Sequence, residues 1–394
     1  MKTLSIAALF AALLMTATSA LAGPQIKFGE DDKGVMQIDY KGQFQFVARD
    51  IGSGPAGDDP TMQFNFRRNR LALMGKYGDV MSVYVQTEFM EDQQIGLFSV
   101  SENRSQSEFS MIDAVARFHL SDTFKIFAGK FKYNFSRENL EGCETPLTLD
   151  RSLFIRPPYV ATRDKGVAIW GNIMDGLFQY RLDAMNGRGA TTAAEPQPSS
   201  QLRYSARAHI SVLDPEKDYG YKGTYLGTKR VLTVGGAVQY EPEMLYADTV
   251  NLKDPKDYLG WTADIFFEYP IIDVGTITLS GAYLKVDLDE AYKGFAPDSL
   301  ATGVNGEKNG FYGKAAYLLP NLPLQFFGRY ETWKFAQLQG IYDQELKWYG
   351  GGFNYYFRDQ NVKLTMEASH DDFDKEDALN KDFTTVITQL QVIF

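Results

Sequence analysis

Basic side chains recur at every second position in parts of this chain, and that spacing is its first chemical signal. Arg203, Arg207 and His209 share one parity, while Leu202, Tyr204, Ala206 and Ala208 share the other. On an extended strand this alternation puts every guanidinium on one face. A guanidinium fork bonds carboxylate or phosphate bidentately, so a stripe of them can serve as an anion track. Arg117 and Arg181 extend the stripe. Lys130 and Lys132 join it if Phe127, Gly129, Phe131 and Tyr133 form the opposite, apolar face. Later segments present acids in the same way, at Asp264, Glu268, Glu331 and Glu367. A basic wall opposite an acidic one would set a transverse field across confined water and raise the local anion concentration. Charges on a polar face also pair across strands simply to satisfy one another, which is the alternative reading of the same residues.

Other chemistries find less support. His119 and His209 fall on polar faces, and His370 precedes Asp371, Asp372 and Asp374. The spaced oxygen ligands and glycine turn of a calcium loop are missing there, so no metal is expected. No hydrolase or nucleotide-binding motif is present, so no enzyme and no cofactor is expected. The acidic excess, a net charge of −10, argues against nucleic-acid binding. Cys143 is the only cysteine and cannot form an internal disulfide; it reads as an incidental free thiol.

The elements that must position these residues are strands. Met36, Ile38, Tyr40, Phe44 and Phe46 alternate with Gln37, Asp39, Lys41, Gln43 and Gln45, and similar sorting recurs to the C-terminus. Several runs reach ten residues or more. A soluble sandwich uses strands of about 5–6 residues, whereas a strand crossing a bilayer needs about 9–11. Turn-forming residues at Tyr77-Gly78-Asp79, Ser121-Asp122, Asp175-Gly176, Pro320-Asn321 and 358–361 alternate with long polar stretches at 50–61, 90–109, 134–164, 187–200, 241–257, 287–309, 334–345 and 370–382. Eight long loops imply about sixteen antiparallel strands in an all-β transmembrane barrel, with short periplasmic turns and long external loops. Residues 213–229 break the rule: they fall at a periplasmic turn but are long, which leaves room for a miscounted hairpin. Lys2, the apolar run Ile6–Met15 and Ala20-Leu21-Ala22 read as a signal peptide over residues 1–22, with one barrel domain over 23–394. The closing alternation of Val386, Thr388, Leu390, Val392 and terminal Phe394 resembles the signal read by the outer-membrane assembly machinery.

One stretch is more specific. Phe127-Ala128-Gly129-Lys130-Phe131-Lys132-Tyr133-Asn134-Phe135, then Glu138, Leu140, Leu149-Asp150-Arg151-Ser152 and Arg163-Asp164-Lys165-Gly166, resembles the phosphate-selective porin O and P family. Phe66-Arg67-Arg68-Asn69-Arg70-Leu71 and Asp113-Ala114 match its style. The resemblance implies a sixteen-stranded homotrimeric porin of the bacterial outer membrane whose third external loop folds inward and narrows the pore. By strand count that loop is 134–164, carrying Arg137, Arg151, Arg156 and Arg163 among acids of similar number. The expectation is passive diffusion of small polar or anionic solutes through a lipid-embedded barrel, with modest anion preference. The rival is a barrel that sheathes a partner, such as an electron-transfer protein, which would need an unblocked lumen.

Overall fold

A computed structural model describes residues 23–90, 93–94, 102–103, 108–153, 162–190, 198–289, 291, 307–338, 341–377 and 380–394. The expected signal segment 1–22 and Arg156 lie outside the described residues. Sixteen strands follow in chain order: β1 (Gly34–Ser53), β2 (Asp59–Tyr77), β3 (Met81–Met90), β4 (Glu108–Ser121), β5 (Phe124–Phe131), β6 (Asp164–Ile173), β7 (Phe178–Met185) and β8 (Arg203–Ser211) form the first half. The second half is β9 (Val231–Asp248), β10 (Lys253–Ile271), β11 (Gly275–Asp287), β12 (Lys308–Leu318), β13 (Leu324–Leu338), β14 (Ile341–Arg358), β15 (Val362–Phe373) and β16 (Phe383–Ile393). Each pairs antiparallel with the next, and β16 returns to β1 from Thr385↔Arg49 to Ile393↔Lys41, which closes the cylinder and leaves no unpaired edge. A short strand, Gln25–Phe28, pairs with the start of β1.

The alternation sorts as a membrane barrel requires. Tyr204, Ile210, Trp261, Ile265, Leu279, Phe326 and Tyr330 stand exposed on the outside, an apolar belt that only lipid can cover. Arg203, Arg207, Asp264, Gln325 and Arg329 point inward and are buried. The short turns place Asp175, Asp273 and Asp359 at φ of 55°, 61° and 45°, a left-handed conformation that aspartate tolerates better than most residues.

Two expectations are corrected. Several loops are shorter than their polar composition suggests: β1 and β2 extend to Ser53 and from Asp59, β9 and β10 to Asp248 and from Lys253, and β15 carries His370, Asp371 and Asp372. Above the membrane both faces of a strand are wet, so the ladder continues without apolar alternation to announce it. The facing of β5 is also inverted. Phe127 and Phe131 are buried inside the barrel, while Lys130 lies on the outer face opposite Lys165, its ammonium donating to the Met111 carbonyl. An aromatic row normally marks the lipid face. Here the inside is occupied by protein, and the rings pack against it.

Candidate permeation site

That protein comes from both ends of the barrel. From the external side, the chain after β5 descends into the lumen. Ser136 caps a single helical turn, α1 (Arg137–Leu140), by accepting from Asn139 N at 3.0 Å. The segment then crosses to the far wall. Gln43 on β1 donates to the Cys143 carbonyl (3.2 Å), Asn354 on β14 to the Leu147 carbonyl (3.0 Å), and Leu149 N donates to Glu367 on β15 (2.9 Å). Leu153 N donates to Glu331 on β13 (3.1 Å). Asp150 accepts Arg67 at 2.6 Å and Arg68 at 3.0 Å. Burial opposes the charged carboxylate of Asp150, but these two arginines and Arg151 outweigh it and hold it well below the usual range.

From the periplasmic side, residues 215–229 rise to meet the loop. They belong to the long connection, 213–229, that breaks the turn pattern, and they form no hairpin. Their backbone is gripped by inward side chains: Gln179 donates to the Glu216 carbonyl (3.3 Å), Asn172 to that of Lys217 (3.1 Å) and Arg181 to that of Asp218 (3.2 Å). Glu268 accepts from Tyr225 N (2.9 Å) and Gly227 N (2.9 Å). The two segments join mid-lumen. Gly142 N donates to the Tyr221 carbonyl (3.1 Å), and Gly223 N to that of Thr145 (2.8 Å). Arg137 forms a bidentate pair with Glu216, at 2.8 and 2.7 Å, beneath the Tyr221 and Phe266 rings. Burial disfavours the Glu216 carboxylate, but Arg137 prevails and pushes its pKa down to about 2, so this latch stays charged at any ordinary pH. Gly223 has to be glycine, since a Cβ there would sit 2.4 Å from Leu147 N.

These contacts reassign most of the residues read as two charged walls. Arg203 pairs with Asp164 at 3.1 Å, and Arg207 with Asp264 at 2.7 and 2.9 Å, all four fully buried. Gly235 leaves room for the second pair, because a Cβ would come within 3.0 Å of Arg207 Nη2 and 3.1 Å of Asp264 Oδ1. Arg181 lies under the Tyr219 and Tyr221 rings. Glu331 and Glu367 bind Arg329 and the third loop, and Glu268 binds the periplasmic segment. The acids are anchors for lumenal backbone rather than an open wall. In the loop, Arg137 is the latch, Arg151 donates to the Glu138 carbonyl (3.3 Å) and Arg163 pairs with Asp113 (2.9 Å).

A cavity of about 460 Å³ lies between the β1–β6 wall, the third loop and Asp218, Tyr219 and Gly220 of the periplasmic segment. Two of the six residues read as the anion track line it, Arg117 and Lys132. Lys41, Arg70 and Arg163 line it too, against Asp113, Glu144 and Asp218. Arg70 bonds Glu88 (2.8 Å), and Lys41 faces Glu144 at 3.5 Å. Arg117 differs from all of these. Its guanidinium lies between the Tyr84 and Phe127 rings, 5.0 and 5.1 Å from their centroids, with no hydrogen-bond acceptor or ion-pair partner among the described residues. Lys41 and Arg70 were missed as cavity residues because nothing in the spacing says which side of the lumen the inward loop leaves open; the Phe66–Leu71 motif carried Arg70 without assigning it a role.

A closed sixteen-stranded barrel with a lipid-facing belt and a polar lumen defines an outer-membrane porin. The model of the phosphate-selective porin O and P family matches residues 36–394, and the chain belongs to that family. Solved structures share the fold at low identity. The anion-selective porin from Comamonas acidovorans is 9% identical with a TM-score of 0.57, covering 92% of this chain and 100% of that one. OprB of Pseudomonas putida is 10% identical with a TM-score of 0.57, covering 92% and 94%. OmpF of Salmonella typhi, in complex with daunomycin, is 12% identical with a TM-score of 0.55, covering 94% and 100%. No curated protein matches the chain. Family and fold together place the protein in the bacterial outer membrane as a channel.

Proposed function

We propose that this porin prefers small anions, and that they pass along the β1–β6 wall with Arg117 as their first fixed partner and residues 134–164 as the constriction. The observation that carries this is the Arg117 guanidinium, which lines the cavity with no acceptor among the described residues. A cation held between two rings cannot reach bulk water fully and gains from an oxyanion that can. Lys132 and Arg163 add positive charge to the same passage. Both lumenal segments argue against a sheath for a partner protein, which needs an empty bore. Homotrimeric assembly and removal of residues 1–22 belong to the proposal as well; the first follows the family resemblance, and a trimer form is described for OmpT of Vibrio cholerae.

Reversal potentials in planar bilayers under a salt gradient test the preference. The native porin is expected to favour chloride over potassium, and Arg117→Ala to bring the ratio toward one. An unchanged ratio would remove Arg117 from the path.

A pH dependence follows from Lys132. Burial lowers its pKa, and repulsion from Arg151 and Arg163 adds to this; with Cys143 and Glu144 acting the other way, it settles at about 7. Anion preference should therefore be stronger at pH 6, where Lys132 is charged, than at pH 8, where it is mostly neutral. Lys132→Met should flatten that profile. The same shift makes folding more favourable as pH rises from about 7 toward the ordinary lysine range, because there the unfolded chain still holds a proton that the folded one has released.

A further inference from the structure

We infer that the cavity selects anions carrying a flat unsaturated ring, such as aromatic carboxylates, over compact inorganic oxyanions; this rests on the anion-passage reading above. Among the described residues Arg117 is the lining cation with no hydrogen-bond or ion-pair partner, and it lies against aromatic surface, with Lys41, Arg70, Lys132 and Arg163 on other parts of the wall. Phe127, which stacks under Arg117, lies 4.5 Å from the Tyr219 ring centroid and 5.7 Å from that of Trp170, and Trp170 lies 5.4 Å from Tyr219. Tyr84 flanks the other side of Arg117. Tyr84 and Tyr219 are only half-buried, so each offers part of its ring to the cavity.

A phosphate bound at Arg117 would have to shed water against these rings and receive nothing in return from them. A carboxylate joined to a planar ring satisfies both kinds of surface. Its charge meets the guanidinium, and its ring packs edge-to-face or offset on Tyr84 or Tyr219, the arrangements aromatic quadrupoles favour. At about 460 Å³ the space falls within the roughly 300–1,000 Å³ usual for small-molecule sites. Packing of the periplasmic segment explains why Phe127 and Trp170 are buried. It does not explain why the unpartnered arginine opens onto the two tyrosines that remain half-exposed.

The test uses the full-length porin in planar bilayers carrying chloride current, with benzoate, cyclohexanecarboxylate or inorganic phosphate added at equal concentrations. Benzoate and cyclohexanecarboxylate share charge and size and differ in the flat π surface. Benzoate is expected to half-block at a concentration about 2- to 10-fold lower than either competitor, and Phe127→Leu to shrink that margin. Equal block by benzoate and cyclohexanecarboxylate, or tighter block by phosphate, would overturn the inference while leaving the anion passage standing. A native channel with no preference for chloride over potassium would remove both. Should Phe127→Leu fail to assemble, the three-way comparison on the native protein still decides the matter.

Discussion

A variant in which residues 215–229 are replaced by a short turn will carry at least about twice the single-channel current of the native porin. The expectation follows from where that segment sits. In place of a tight turn, the chain between β8 and β9 climbs into the barrel and is held by Gln179, Asn172, Arg181 and Glu268 along the β6, β7 and β10 side of the bore. Val212 and Leu232 stay paired through their backbone, so β8 and β9 can still be joined without it. Removing the segment widens the passage on the side of Asp218–Gly220 and leaves the sixteen-strand ladder intact. An unaltered current would mean that ions do not pass beside this segment.

Arg137→Ala should have a large energetic effect. It leaves the Glu216 carboxylate buried with its bidentate partner gone, and breaking a buried pair from one side costs about 3–5 kcal/mol. Most of the barrel does not depend on this pair, so the loss should appear as undocking of the two segments: a noisy channel with frequent current steps and a lower thermal midpoint in detergent. Arg137→Ala combined with Glu216→Gln should recover part of the midpoint, because a neutral amide is cheaper to bury than a carboxylate. If the single and double variants melt alike, the latch is not what holds the segments together.

Much of the barrel was legible in the sequence. The lipid side imposes one rule on every strand, apolar outward at period two, and Leu202–Val212 or Leu324–Glu331 could not satisfy it in any other facing. The spacing of turn residues then gave the strand number, and a family-specific stretch gave the family. The lumen obeys no such rule. Alternation alone puts Phe127 and Phe131 outward, because rings usually face lipid, and only the rise of Tyr219 into the bore makes the inside the drier place for them. Arg203 and Arg207 looked like an open basic track because Asp164 and Asp264, their partners, are distant in sequence and meet them only once the register is set. Glu331 and Glu367 looked like an acidic wall for the same reason: the backbone N–H groups of Leu153 and Leu149 that they accept carry no sequence signal. Arg117 lines the cavity from its strand, whereas Lys132 reaches it from the chain just past β5 and not through the strand facing that the alternation suggests.

Covalent labelling in bilayers maps that side directly. In a Cys143→Ser background, Arg117→Cys stands on the open wall. Thr365→Cys stands on the opposite wall, where Thr365 bonds Asn354 beneath the third loop. A charged methanethiosulfonate reagent is expected to change the current through Arg117→Cys channels within seconds and to leave Thr365→Cys channels untouched. Rapid modification at position 365 with none at 117 would contradict the account, because the solute path would then run along the wall that the loop was found to cover.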